Sequence, residues 1–258
     1  MKSIGFVGAG RVASILLGGW ARAGAAPPLV VVACDSDAGV LAALCEKHPQ
    51  VRGAGGDIAA AARQEVVFLA LHPPAIPPAA ADIAKALRPS AILVSLAPKL
   101  SIARLSELLG GFARIARAIP NVASIVGRGY NPISYGNALS EADRAALRDL
   151  LSPLGRHPEV LEADLETYAI VTAMGPTYLW PQLYELQSLA ESFGLAREAA
   201  QQAVEAMLAG AIATMHESGL APAEVEDLVP VKPLAEEQPA LLAAYRTRLS
   251  GLREKLRA

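Results

Sequence analysis

Along the first half of the chain, short and almost unbroken apolar runs alternate with longer Ala- and Leu-rich stretches. The runs are SIGFVG (3–8), LVVVAC (29–34), VVFLAL (66–71), ILVSLA (92–97) and RIARAI (114–119). They are rich in β-branched residues and lack a solvent-facing alternation, which is the pattern of strands covered on both faces, as in a parallel sheet. The intervening stretches 11–23, 37–47, 57–63, 76–88 and 101–109 have helical character. Asp57 is placed to cap the third of them. The proline-rich PPAIPPAA (73–80) reads as a loop leading into a helix. Strands alternating with helices predict βαβ units and an α/β, doubly wound sheet.

Near residue 160 the pattern changes. From Asp164 to Ser218 no segment reads as a strand, and three helices are expected: DLETYAIVTAM, PTYLWPQLYELQSLAESFG and AREAAQQAVEAMLAGAIATMHESG. The last is apolar nearly all round, which predicts burial. A final amphipathic helix is expected from Pro239 to Leu256. The organisation predicted is therefore a first domain over 1–160 and an all-α second domain over 161–258. A helical domain this small and apolar is expected to bury surface against a second copy, giving a homodimer through the C-terminal helices.

Composition narrows the function. The chain has 258 residues, 53% of them hydrophobic, enough for a sizeable core, and a net charge of -2. No basic excess points to nucleic acid. No apolar run has the length of a membrane span, and Arg11 interrupts the N-terminal run too early for a secretory signal. A cytoplasmic protein with a small-molecule substrate is the expectation. The two cysteines and four histidines show no metal-ligand spacing, so no metal site is expected. Cys34, Cys45 and His157 carry no motif and read as structural.

The chemistry begins in IGFVGAGRVA (4–13). Gly8-x-Gly10-x-x-Ala13 follows one predicted strand and opens a helix, the context a dinucleotide-binding turn requires. The first glycine permits the tight turn, and the second removes a Cβ so that a diphosphate can approach the backbone. Small Ala13 lets helix pack on strand. The N–H groups at the helix start, around Arg11 and Val12, favour an anion. The second strand ends in ACDSD, and Asp35 stands where an acidic residue would accept bonds from the adenosine ribose. No Arg or Lys occurs between Ser36 and Val40 to neutralise a 2′-phosphate. Either NAD or NADP is the expected cofactor, with NAD favoured. The plainer alternative is that Asp35 or Asp37 only caps the next helix.

Further on stand RIARAIPNVASIVGRGYNPISYGN (114–137) and TAMGPTYLWPQLYELQSLAESFGL (172–195). With IGFVGAG and LALHP, in this order along almost the whole chain, they resemble the pyrroline-5-carboxylate reductase family. The resemblance implies a Rossmann-type first domain and a helical dimerisation domain. It implies hydride transfer from a reduced nicotinamide to the C=N bond of a cyclic imino acid, giving proline. By the same resemblance, Leu71, His72 and Pro73 stand at the third cofactor-contacting loop, Ser95 to Ala97 at the nicotinamide side, and Asn121 in the Pro-Asn pair. Thr172, Gly175, Pro176 and Tyr178 stand in the segment that walls the substrate pocket.

One stretch departs from the family. Before the last helix the family carries a loop reading roughly S-P-G-G-T-T, which holds the substrate carboxylate; here the corresponding stretch is PVKPLAEEQ (230–238). Pro230 and Pro233 have no N–H to donate, so the nest of backbone donors is absent or replaced. Lys232 is the candidate replacement cation. Imine reduction also needs a proton for nitrogen, for which Tyr178 is a candidate and Thr172 a pocket hydroxyl. Trp180 fits a pocket wall or, better, a dimer seam. Two other readings stay open. One is a nucleotide-binding regulatory protein of the same fold without catalysis. The other is a β-hydroxyacid-type dehydrogenase, against which stands the lack of any lysine from 100 to 231.

Overall fold

The computed structural model describes residues 3–24 and 30–257. Leu29, expected to begin the second strand, lies outside the described residues. The first unit is built on a seven-stranded sheet. Its strands are β1 (Ser3–Val7), β2 (Val30–Cys34), β3 (Val51–Gly53), β4 (Val66–Leu69), β5 (Ile92–Ser95), β6 (Ile115–Ala118) and β8 (Ile133–Tyr135). They lie in the order β3-β2-β1-β4-β5-β6-β8, all parallel except the β6–β8 pair. A separate two-stranded ladder pairs β7 (Gly129–Tyr130) with β9 (Gly155–Arg156). Between the strands run α1 (Arg11–Arg22), α2 (Ala38–Lys47), α3 (Ile58–Ala62), α4 (Ile76–Ala86), α5 (Ile102–Leu108) and α6 (Glu141–Leu151). The sheet is doubly wound and Rossmann-like, and its strand order reverses between β1 and β4.

Its two faces sort by the two-residue period of the strands. Ile4, Phe6, Val31, Ala33, Val66, Phe68, Ile92 and Val94 face a core completed by Leu16, Leu17 and Trp20 of α1 and Leu147 and Leu151 of α6. Val7, Val32, Val67, Leu69, Leu93 and Ile115 face the other, completed by α3, α4 and α5. Phe6 and Phe68 stack with ring centroids 5.2 Å apart, and Trp20 closes the cluster while its indole N–H donates to the Leu150 carbonyl at 2.8 Å. Asp57 caps α3, accepting from the Ala60 N–H at 3.1 Å. The prolines at 73–80 fold as a 3₁₀ turn (Pro73–Ala75) followed directly by α4, whose first turn accommodates Pro77 and Pro78.

The elements without a counterpart in the sequence reading include β3, β8 and α6, besides the short β7, β9 and α10 (Pro222–Asp227). β3 is three residues long with two of them exposed, too short to show a period. β8 is an antiparallel edge in a Tyr-, Asn- and Pro-rich stretch that reads as loop. α6 is polar on one side, with a Ser140–Asp143 capping box at its start.

The chain divides into two compact units. One holds the described residues through Ala173 together with the end of the chain from Arg253, and the other is Met174–Leu252. The division falls later than the change of pattern near 160 because residues 161–173 pack with the sheet. Leu165 and Ala169 bury themselves with Ile119, and Glu162 and Glu166 bind Arg117 of β6. The first of the three helices expected after 160 is a short α7 (Leu165–Tyr168) that widens into a π turn over Ala169–Ala173. The second unit contains α8 (Pro176–Ser192), α9 (Arg197–Glu217), α10 (Pro222–Asp227) and most of α11 (Gln238–Arg257). The expected burial of α9 is not found within the chain: Ala200 is its one buried residue. A helix apolar on every side needs cover on every side, and this chain supplies it on few.

Candidate active site

The glycine turn joins β1 to α1 at the carboxyl edge of the sheet, beside the point where strand order reverses. Gly8 has φ +102°, a left-handed value, and a Cβ there would stand 2.7 Å from the Ala70 carbonyl oxygen. Only glycine fits it. Its N–H donates to the Cys34 carbonyl at 2.9 Å, tying the turn to the end of β2. Gly10 differs in kind. It is the N-cap of α1 with φ -73°, and a Cβ there would meet nothing within 4 Å. The space beside Gly10 is open, and no side chain caps the helix start behind it. The first hydrogen bond of α1 runs from the Ser14 N–H to the Gly10 carbonyl at 3.2 Å, which leaves the N–H groups of Arg11, Val12 and Ala13 directed out of the helix. An uncapped helix start with open space before it fits a diphosphate.

Asp35 follows β2 and reaches back to this turn. Its Oδ2 accepts the Ala9 N–H at 2.8 Å and its Oδ1 accepts the Asp37 N–H at 2.9 Å. Asp37, not Asp35, caps α2, accepting from Gly39 and Val40. Each oxygen of Asp35 keeps one further lone pair for a hydroxyl. Ser36 is exposed beside it.

The next strand ends add the remaining residues of the cleft edge. Leu71, His72 and Pro73 follow β4; His72 is exposed and opens the 3₁₀ turn without a side-chain cap bond. Ser95 and Ala97 close β5 and are buried. Asn121 follows β6 and is 7% exposed. Its N–H donates to Asn131 Oδ1 and its Oδ1 accepts the Ala123 N–H, both at 2.8 Å, while its Nδ2 donates to the Thr172 carbonyl. Its side chain thus ties the β6 end to the π turn, leaving one amide hydrogen for a ligand. The Thr172 hydroxyl donates to the Tyr168 carbonyl at 2.8 Å.

A buried ion cluster braces the same edge and was not among the residues expected to matter. Arg117 of β6, 3% exposed, bonds Glu162 Oε1 at 3.1 Å and Glu166 Oε1 at 2.6 Å. The two carboxylates reach on to the loop after β5: Glu166 Oε1 accepts the Lys99 N–H at 3.0 Å and Glu162 Oε1 the Ile102 N–H at 2.6 Å. Burial pushes the Glu166 carboxyl up, but the Arg117 bond and charge and the Lys99 N–H outweigh it and hold the group below its ordinary range. The signal was present in the sequence, as a charged residue inside the apolar run RIARAI and two glutamates spaced one helical turn apart.

Tyr178 and Lys232 belong to the second unit. Tyr178 sits in the first turn of α8 and packs edge-on against Tyr245, with centroids 5.9 Å apart. Burial, then the neighbouring Tyr245, pushes its phenol up. Lys232 is exposed in the turn before α11, where its carbonyl accepts the Ala235 N–H at 3.1 Å. Among the described residues, no group of three His, Cys, Asp or Glu could hold a metal ion, and no helix is long and apolar enough to cross a membrane.

Comparison with known proteins agrees with this geometry. A family described as NADP oxidoreductase coenzyme F420-dependent matches residues 3–99. A pyrroline-5-carboxylate reductase of Pseudomonas aeruginosa is 29% identical over 230 residues, covering 86% of this chain and 81% of its own. One from Corynebacterium melassecola is 26% identical over 234 residues, covering 87% and 84%. The structure of Plasmodium falciparum pyrroline carboxylate reductase with NADP bound superposes with a TM-score of 0.83 at 20% identity, covering 99% of this chain and 97% of that one. The Streptococcus pyogenes 1-pyrroline-5-carboxylate reductase gives 0.77 at 19% identity, covering 99% and 98%. These structures share the fold.

Proposed function

We propose that this chain, similar over most of its length to pyrroline-5-carboxylate reductases, is an NAD(P)H-dependent reductase that acts on the C=N bond of a small cyclic imino acid or a related imine. The observation that carries this reading is the pair of glycines. Gly8 is required by the fold, whereas Gly10 is required by nothing within 4 Å of the Cβ it lacks. A residue kept bare beside open space and a free helix start is explained by a ligand, and the donors present select an anionic one.

When bound, the dinucleotide supplies the hydride. The chain's part is to hold and orient. The N–H groups from Gly10 to Val12 hold the diphosphate, Asp35 and Ser36 take the adenosine ribose, and Leu71, His72 and Pro73 border the cofactor. Ala97 and Asn121 flank the nicotinamide side. Reduction adds a hydride to the imine carbon and a proton to its nitrogen. Tyr178, whose raised phenol keeps its proton at neutral pH, is the proposed donor, with Thr172 as a pocket hydroxyl. Lys232 is a proposed counter-ion for an anionic group on the substrate. The Asp35 carboxylate disfavours a 2′-phosphate, so NADH is the proposed preferred reductant. The exposed apolar residues of α8 and α9 support a homodimer formed through the second unit.

The test is turnover of 1-pyrroline-5-carboxylate and a panel of cyclic imines with NADH and with NADPH. Proline formation supports the reading, and a strong preference for NADPH removes Asp35 as the discriminating residue. The loop PVKPLAEEQ, with prolines in place of N–H donors, favours a second reading, in which the cleft binds nucleotide without catalysis. Tight NADH binding with no turnover of any imine or ketone selects that one.

A further inference from the structure

The loop leaving β5 places a lysine where the backbone favours glycine. Lys99 has φ +72° and is the one non-glycine residue with positive φ among the described residues. The left-handed region is costly for a side chain with a Cβ, and glycine or asparagine is the usual occupant. Such strain persists only where surrounding structure over-determines it. Here the surroundings are on view. The Lys99 N–H is held at 3.0 Å by Glu166, the Ile102 N–H at 2.6 Å by Glu162, and both carboxylates are fixed by buried Arg117. Three charged groups thus clamp a four-residue loop in a shape that any sequence with glycine at 99 would adopt more readily.

What lysine adds over glycine is a cation. Its side chain is exposed and forms no salt bridge among the described residues. Its backbone stands at the carboxyl edge of the sheet, the edge at which open α/β sheets bind ligands. β5 lies two strands along from the glycine turn, beside the ends of β4 and β6 that carry His72 and Asn121.

We infer that Lys99 is an anion-binding residue of this chain's substrate site, pairing with the carboxylate of the imino acid, and that Arg117, Glu162 and Glu166 are positioning residues that hold its backbone. The inference rests on the proposed reductase reading for the identity of the anion. It adds a cation at the sheet edge to the one proposed at Lys232, in a chain whose loop at 230–238 lacks N–H donors at Pro230 and Pro233.

Lys99→Gly is the discriminating variant, because it relieves the left-handed strain while removing the charge. Its melting temperature should stay the same or rise by about 2–4 °C. Its KM for 1-pyrroline-5-carboxylate should rise about 10- to 100-fold, the size of a lost charge-assisted bond. Lys99→Arg should restore most of that loss. KM for 2-methyl-1-pyrroline, which has no carboxylate, should not move. Binding of pyrrole-2-carboxylate to the oxidised-cofactor complex, measured by calorimetry, reports the same site without turnover and should weaken by a similar factor. Unchanged carboxylate binding in Lys99→Gly overturns the inference, as does a wild type that binds no carboxylate. A weakened Kd for NADH alone assigns Lys99 to the cofactor and also overturns it. Carboxylate binding that depends on Lys99 in a wild type without turnover overturns the reductase reading and leaves the anion site standing.

Discussion

At the scale of single residues, the two glycines of the turn separate folding from binding. Gly8→Ala forces a Cβ into left-handed backbone 2.7 Å from the Ala70 carbonyl oxygen. The strain alone costs about 1–3 kcal/mol, and thermal or urea unfolding should show that loss together with lost cofactor binding. Gly10→Ala meets no atom of the protein and suits its φ of -73°. It should leave the unfolding midpoint almost unmoved while weakening NADH binding, read by fluorescence titration. Equal losses of stability in the two variants would remove the distinction. Glu166 adds a pH dependence. Its folded carboxyl lies below its ordinary value of 4.5, although burial alone would raise it. A depressed carboxyl stabilises the fold fully above that ordinary value, and the contribution disappears as pH falls through the folded value. Glu166→Gln should therefore lose stability at neutral pH and show a shallower further decline as pH falls below the ordinary carboxyl value, measured by chemical denaturation at each pH.

At the scale of elements, α1 lies close against the stretch that follows β6. A Cβ on Gly19 would stand 2.3 Å from the Ser124 carbonyl oxygen and 2.6 Å from the Leu154 side chain. Backbone on one side of the contact gives it little room to yield, so Gly19→Ala should cost about 1–3 kcal/mol by overpacking. Because α1 also presents the helix start proposed to bind the diphosphate, the same variant should weaken cofactor binding at a distance. The Arg117 cluster ties β6, the β5 loop and α7 together. Arg117→Met leaves two carboxylates around an uncharged side chain. With Arg117 3% exposed and Glu166 12%, the loss should reach about 3 kcal/mol. The period of the strands and the Gly-x-Gly turn were legible in the sequence because both are local. This cluster was only half legible: Arg117 in an apolar strand announces a buried partner, but its glutamates lie some 45 residues away and follow no fixed spacing.

At the scale of the molecule, the second unit has more apolar surface than it covers. Phe193 is 81% exposed, Tyr184 69% and Met215 62%. Apolar exposure of this extent on adjoining helices marks an association surface. Light scattering should find a dimer, and Phe193→Asp with Met215→Asp should shift it toward monomer without altering the sheet-borne fold of the first unit, followed by far-UV circular dichroism. A wild type that is monomeric at micromolar concentration would remove the homodimer reading.

Fold class, the alternation of the five main strands with helices and the dinucleotide type of the glycine turn were legible in the sequence alone, because periodicity, glycine placement and helix starts act over a few residues. The family resemblance was carried by short motifs in fixed order. What Asp35 and Asn121 bind was decided only by tertiary structure. Asp35 holds the Ala9 N–H instead of standing free, and Asn121 spends most of its hydrogen bonds on Asn131, Ala123 and Thr172. The left-handed backbone of Lys99 was invisible beforehand for the same reason. A dihedral angle that runs against its residue's preference is set by partners distant in sequence, here two glutamates and an arginine, and only the fold brings those together.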